Sequence, residues 1–162
     1  DELNIFAYNR VVKDLNGLSS EEFIGRIKEK FTVEAANNKI PSGKHNFCMY
    51  IDGKWYNLKV NYKTGSDPID NLDAKILQDS VLDPLLGIKE PRKDKRISFV
   101  GGIRGTGELE RLVNSGEYKV AFSLHPILIE DVIEISDLNK ILPPKSTWFE
   151  PKLRSGLVVH LL

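Results

Sequence analysis

At 162 residues the chain has the length of one domain, and such a domain buries about 70% of its unfolded surface. Its 23 basic and 23 acidic side chains cancel, so no global field draws nucleic acid or anionic lipid, and either partner would need a local patch. One cysteine, Cys48, excludes an internal disulfide and a multi-cysteine metal site, and no apolar run is long enough for a membrane helix.

Residues 4–12 (NIFAYNRVV) mix β-branched and aromatic side chains and predict a strand, with Asn9-Arg10 as a polar interruption. Ser19 as N-cap and Glu22 three residues later form a capping box, with Leu18 placed to staple onto Phe23. Phe23, Ile27 and Phe31 then recur every four residues and predict one buried helical stripe. Asp52-Gly53 is a preferred type I′ turn between alternating segments over 45–61. Centring a hairpin there pairs Met49 with Tyr56 and Phe47 with Leu58 on the expected core face. Tyr50 and Trp55 face each other on the opposite side. That aromatic pair is expected to be buried, under helices or a further domain, the alternative being an exposed stacking platform.

Residues 71–82 predict a helix with Leu72, Ile76, Leu77 and Val81 apolar, followed by a polar loop at 89–96. A strand at 97–100, a glycine-rich turn at 101–107, a helix at 108–114 and a strand at 118–124 come next. A helix follows with Ile129, Val132, Ile133 and Ile135 as its inward side, and residues 157–162 read as a closing apolar strand or short helix. The order predicts a single α+β domain over 1–162, with a mixed, mainly antiparallel sheet and helices mostly on one face. The chain opens on Asp1 and its one methionine is Met49, so it reads as the later domain of a longer protein. With no secretory signal pattern in view, the cytoplasm is the default location.

Two loops have the chemistry of an anion site. FVGGIRGTGELERLV runs from strand through glycines into helix, where Gly101, Gly102 and Gly105 let backbone N–H groups converge and Arg104 adds a clamp for phosphate or carboxylate. Both named fingerprints fail: Glu108 and Leu109 stand where a P-loop needs Lys and Ser or Thr, and Glu110 where a dinucleotide fold needs a small residue. The same glycines also fit a tight strand–helix turn, so both readings stand. PPKSTWFEPKLRSG places Lys145, Ser146, Thr147, Lys152 and Arg154 around Trp148 and Phe149, between prolines that limit the loop's freedom. Aromatics inward and cations outward satisfies both a site and a plain surface loop.

Asp73 is the carboxylate candidate for proton transfer, His125 at a strand end a candidate acid or base, and Asn9-Arg10 a candidate to face the reacting group. Capping and solvation also account for such residues. No two of His45, His125 and His160 have metal-ligand spacing, and Asp70, Asp73, Asp79 and Asp83 lack the glycine and glutamate of a calcium loop. No dedicated metal site is predicted and the cofactor is left open, with Mg²⁺ expected only together with a phosphorylated ligand.

Four blocks, YNRVVKDLNGLSSEEF, LDAKILQDSVLDPLLGI, DKRISFVGGIRG and PPKSTWFEPKLRSGLVVHLL, resemble the domain-of-unknown-function family 1015, in its C-terminal part. The resemblance implies a bacterial or archaeal protein of no settled activity, some members lying beside serine-biosynthesis genes and some labelled ParB-like. It also implies histidine where this chain has Asn9, and often where it has Gln78, so an altered site is one reading. Arg10, Asp73, Gly101, Gly102, Arg104, Lys145, Ser146, Thr147 and Lys152 fall on these blocks. The expectation is an enzyme domain binding a small phosphorylated or carboxylated metabolite, with phosphoryl transfer in serine metabolism as the concrete form. Arg104 and Lys145 are expected each to carry more than a factor of about ten in affinity. The alternatives are a binding or regulatory module, ParB-like and DNA-associated, or a structural domain completing a longer fold. Neutral charge counts against nucleic acid.

Overall fold

The computed structural model describes residues 4–151. Six strands form one antiparallel sheet in the order β3-β5-β4-β7-β2-β6. They are β2 (Tyr8–Val12), β3 (Phe31–Ala35), β4 (Asn46–Ile51), β5 (Lys54–Val60), β6 (Ile97–Gly101) and β7 (Val120–Leu124). A separate two-stranded ribbon joins β1 (Asn4–Phe6) to β8 (Trp148–Glu150). Among the described residues there are four α-helices: α1 (Ser20–Ile27), α2 (Asp73–Leu77), α3 (Thr106–Asn114) and α4 (Ile129–Asp137). The α+β expectation holds, and every strand pair among the described residues is antiparallel.

Period-two alternation divides the sheet between two cores. Phe47, Met49, Leu58, Val12 and Phe122 face α1 and α2, where Phe23, Ile27, Ile76 and Leu77 meet them. Val11, Cys48, Tyr50, Trp55 and Ala121 face the other way and meet Leu109 and Leu112 of α3. The hairpin register is the expected one: Met49 opposite Tyr56, Phe47 opposite Leu58, Tyr50 opposite Trp55. Asp52 and Gly53 both have positive φ, as a type I′ turn requires. Helix α3 is the cover for the aromatic pair. Trp55 Nε1 donates to Glu110 at 2.7 Å and the Tyr50 hydroxyl donates to Asn114 at 3.0 Å.

Four expectations are corrected. The first strand is broken at Ala7, whose carbonyl accepts from Gly102 N at 2.7 Å. Beyond that break β1 leaves the sheet to pair with β8, whereas β2 stays in it. Helix α1 stops at Ile27, and Phe31 opens the edge strand β3 instead of extending the helical stripe. Phe31 is still buried, because β3 pairs with β5 and turns it toward the same core. In α4 only Ile135 is fully buried, while Ile129 and Ile133 stand about half exposed, at 47% and 54%. The helix at 71–82 begins at Asp73 and widens after Leu77 into a π-helical turn over Gln78–Leu82, where Asp83 N reaches Gln78 O at 3.0 Å. The closing element expected at 157–162 lies outside the described residues, as do Lys152, Arg154 and His160.

Two close approaches fix the ribbon on the sheet. A Cβ at Gly102 would stand 2.9 Å from the carbonyl oxygen of Ala7, and one at Gly101 would stand 2.7 Å from the Trp148 ring. Backbone cannot yield as a flexible side chain does, so Gly102→Ala should lower unfolding free energy by about 1–3 kcal/mol in urea titrations. The capping box at α1 is formed in both directions, Ser19 N to Glu22 at 2.8 Å and Glu22 N to Ser19 Oγ at 3.1 Å. Ser19→Ala should cost about 1 kcal/mol in the same assay, with Ser19→Gly milder.

Candidate functional site

Strand β2 carries an arginine into a sheet position that its neighbours fill with phenylalanine. Arg10 lies in register with Phe99 on one side and Phe122 on the other, and is 3% exposed. Its guanidinium donates to the carbonyl oxygens of Tyr8 and Lys145, the latter at 3.1 Å, and stands 5.4 Å from the centre of the Phe99 ring. Among the described residues no carboxylate lies within ion-pair distance of it. Burial pulls its pKa down to about 10, with the Asp73 charge acting in the opposite direction, so it is a cation at neutral pH whose hydrogen-bond partners among the described residues are neutral carbonyls.

Arg10, Asp73, His125 and Ser146 line one crevice, together with Tyr8 and Lys44. The crevice encloses about 20 Å³, room for about one water-sized group. Asp73 starts α2, is buried, and accepts from the backbone N–H of His45 at 2.8 Å. Burial pushes its pKa up to about 6, against that hydrogen bond and the charges of His125 and Lys44, while the Asp131 charge adds to the rise. Lys44 is held by Asp131 of α4 at 2.7 Å. His125 follows β7 directly, with Nδ1 2.8 Å from Pro126 O. The site therefore offers one buried cation, one carboxylate poised to exchange a proton near neutral pH, and a second cation already paired.

The other candidate residues fall elsewhere. Asn9 points to the opposite face from Arg10, and its side-chain oxygen accepts from Leu124 N at 3.1 Å, so it braces the sheet outside the crevice. Lys145 supplies the carbonyl that anchors Arg10, and its Nζ sits 5.3 Å over the Tyr8 ring. Ser146 Oγ donates to Pro143 O at 2.6 Å, and Thr147 lies between it and β8 outside the crevice lining. Gly101 and Gly102 are occupied by Trp148 and Ala7. Arg104 and Gly105 are exposed, and neither lines the crevice. Sequence reasoning missed Lys44, Tyr8 and Asp131. Nothing in their local pattern marks them, since Lys44 is one of 23 basic residues and meets Asp131 only through the fold.

The comparisons can be set against this geometry. Residues 1–75 match the family described as "Protein of unknown function (DUF1015)". The match contains Arg10, Lys44 and Asp73, and stops before His125 and Ser146. No curated protein matches the sequence. Among solved structures, a free serine kinase in complex with AMP superposes with TM-score 0.54 at 16% identity, over 92% of this chain and 54% of that one. A variant of the free serine kinase in complex with ADP gives 0.51 at 17%, over 92% and 54%. A conserved hypothetical protein from Pyrococcus furiosus gives 0.54 at 16%, over 92% and 57%. At such identity the likeness is one of fold, and this chain spans about half the length of those structures. No helix among the described residues is long and apolar enough to cross a membrane.

The raised Asp73 pKa has a sign that can be checked. Between its ordinary 3.8 and about 6 the folded protein holds a proton that the unfolded chain releases. Stability should therefore fall as pH rises through that window, by on the order of 3 kcal/mol for this group. Asp73→Asn should flatten that segment of the stability–pH curve. An unchanged slope in the variant would assign it to other groups.

Proposed function

We propose that the chain contributes to an enzyme site that takes a small anionic metabolite, phosphorylated or carboxylated, and that the reaction is phosphoryl transfer to a hydroxyl acceptor. The observation that carries the reading is Arg10: a buried guanidinium at a crevice, held by two carbonyls and lacking a carboxylate partner among the described residues. Leaving a buried charge uncompensated is costly, and an incoming oxyanion supplies the missing compensation through short, charge-assisted hydrogen bonds. Asp73 faces the same crevice with a pKa near the working range of a general base. Phosphoryl transfer rests on positioning and charge stabilisation and needs no cysteine or histidine nucleophile, which agrees with the inert setting of Cys48, buried and raised to about 11.

The free serine kinases among the structural neighbours, captured with AMP and ADP, support a nucleotide donor and a hydroxy amino acid such as serine as acceptor. In this reading Arg10 holds the transferred group, and the Asp73 carboxylate takes the acceptor's hydroxyl proton. The glycine loop recedes from the site: Gly101 and Gly102 serve close packing, and Arg104 lies apart from the crevice.

Isothermal titration with phosphate, phosphoserine and ADP tests the binding half. Arg10→Gln should weaken the ligand that binds wild type by about ten- to a hundredfold, and Arg104→Ala by less than about twofold. Equal affinity in Arg10→Gln and wild type would end the reading. For the chemical half, Asp73→Asn should lower kcat by about 10²–10⁴. In wild type, kcat/KM should rise as pH passes through about 6, where Asp73 becomes a free base.

A further inference from the structure

Arg10 lines a second cavity as well as the crevice. This groove encloses about 430 Å³ and has walls from Leu82, Phe99, Pro143 and Pro144. Lys75, Lys89 and Arg92 stand along it, as do the carboxylates of Asp79, Asp83 and Glu90. Lys75 is paired with Asp79, whereas Lys89 and Arg92 make no ion pair among the described residues. The elements around Arg10 straddle the two spaces in the same way. Helix α2 gives Asp73 to the crevice and Lys75 to the groove, with Ala74 in both. The segment before β8 gives Ser146 to the crevice and its two prolines to the groove. Crevice and groove thus adjoin at two shared lining residues, Arg10 and Ala74.

Their sizes and linings differ in a way that assigns their contents. The crevice has room for a hydroxyl-sized group beside a carboxylate. The groove is over an order of magnitude larger, with apolar walls and a rim of mixed charge in which Asp79 and Glu90 are held by Lys75 and Lys93 while Lys89 and Arg92 are unpaired among the described residues, a lining that suits an organic phosphate with a bulky, flat body. We infer that the groove holds the body and the leaving phosphate of an organic phosphate donor, that the crevice presents the acceptor hydroxyl to Asp73, and that the transferred phosphoryl group lies at Arg10 between them. This assignment rests on the phosphoryl-transfer reading above and adds to it the donor's position and the residues that select it.

The step balances within these groups. The acceptor hydroxyl's proton passes to the Asp73 carboxylate as its oxygen bonds to phosphorus. The bond from that phosphorus to the donor's bridging oxygen breaks, and the bridging oxygen keeps the electron pair and leaves as phosphate on the donor. Arg10 compensates charge on the moving group, and Lys89 and Arg92 face the charge that stays with the leaving phosphate.

The test compares ADP with inorganic phosphate by isothermal titration in wild type and in the double variant Lys89→Glu/Arg92→Glu, whose two positions are exposed. ADP affinity should fall at least tenfold in the variant, while phosphate, small enough to sit at Arg10 alone, should change by less than twofold. Circular dichroism of the variant, matching wild type, guards against a folding defect. ADP affinity that is insensitive to the double change, with phosphate still bound, would overturn the groove assignment and leave the anion site at Arg10 standing. A parallel loss of ADP and phosphate would also overturn it, because the two loop cations would then act on the whole field and select no donor. Failure of wild type to bind either probe would remove the underlying reading and this inference with it.

Discussion

The arrangement of the crevice depends on one buried charge that no carboxylate pairs with among the described residues. Arg10 occupies an inward position of a central strand, with Phe99 and Phe122 as its cross-strand neighbours. An apolar residue there would complete the row of Phe99, Phe122 and Met49 and close the core. The arginine instead needs acceptors, and the fold brings them: Tyr8 O from its own strand and Lys145 O from a segment 135 residues away. That second acceptor explains the ribbon. By pairing β1 with β8, with Phe6 opposite Trp148, the chain sets the segment before β8 over β2, and the close contact of Trp148 with Gly101 fixes its height. The peripheral ribbon is thus the support for a carbonyl that a buried cation requires.

The sheet-forming parts of this design are legible in the sequence because they are local. The Asp52-Gly53 turn sets a register, and the register sets which aromatics share a face. The Ser19–Glu22 capping box fixes where α1 begins. Its end was not legible, because Phe31 continues a four-residue period whether the backbone stays helical or turns into an edge strand. Only the pairing of β3 with β5 decides. The break at Ala7 is of the same kind: residues 4–12 all favour strand, and their division between two sheets depends on β8, at the far end of the chain.

The candidate site was legible in its residue types and not in their grouping. Arg10 stood out as a polar interruption of a strand, His125 as a strand end, Asp73 as one of several carboxylates and Ser146 as a hydroxyl in a proline-bounded loop, and they come from four separate segments that converge on one crevice. The glycine loop had the strongest local pattern of all, yet it lies apart from them. Its glycines satisfy close approaches to Trp148 and Ala7, and α3 spends its early acidic residues on Trp55, Lys39 and Arg111. A motif read along the chain sees geometry that a turn also needs, whereas the crevice is assembled by topology and leaves no contiguous trace.

The same reasoning bears on Asn9 and Gln78, where the family resemblance implies histidine. Asn9 sits on the far face from Arg10 and gives its oxygen to the backbone N–H of Leu124, the residue just before His125. Its work is to finish the ladder at the end of β7, and so to hold the strand end from which His125 enters the crevice. A histidine ring nitrogen could accept that same N–H, and either residue at this position would brace the strand end outside the crevice lining. Gln78 differs. Its amide nitrogen donates to Ile88 O at 2.7 Å, but its buried oxygen has no partner among the described residues. An imidazole could make the first bond without a second buried acceptor to satisfy. The unpaired oxygen lies where the helix widens into its π-helical turn, beside the groove that Arg10 shares. The departure at position 9 therefore lies outside the crevice lining, and the one at position 78 falls on the lining of the larger groove.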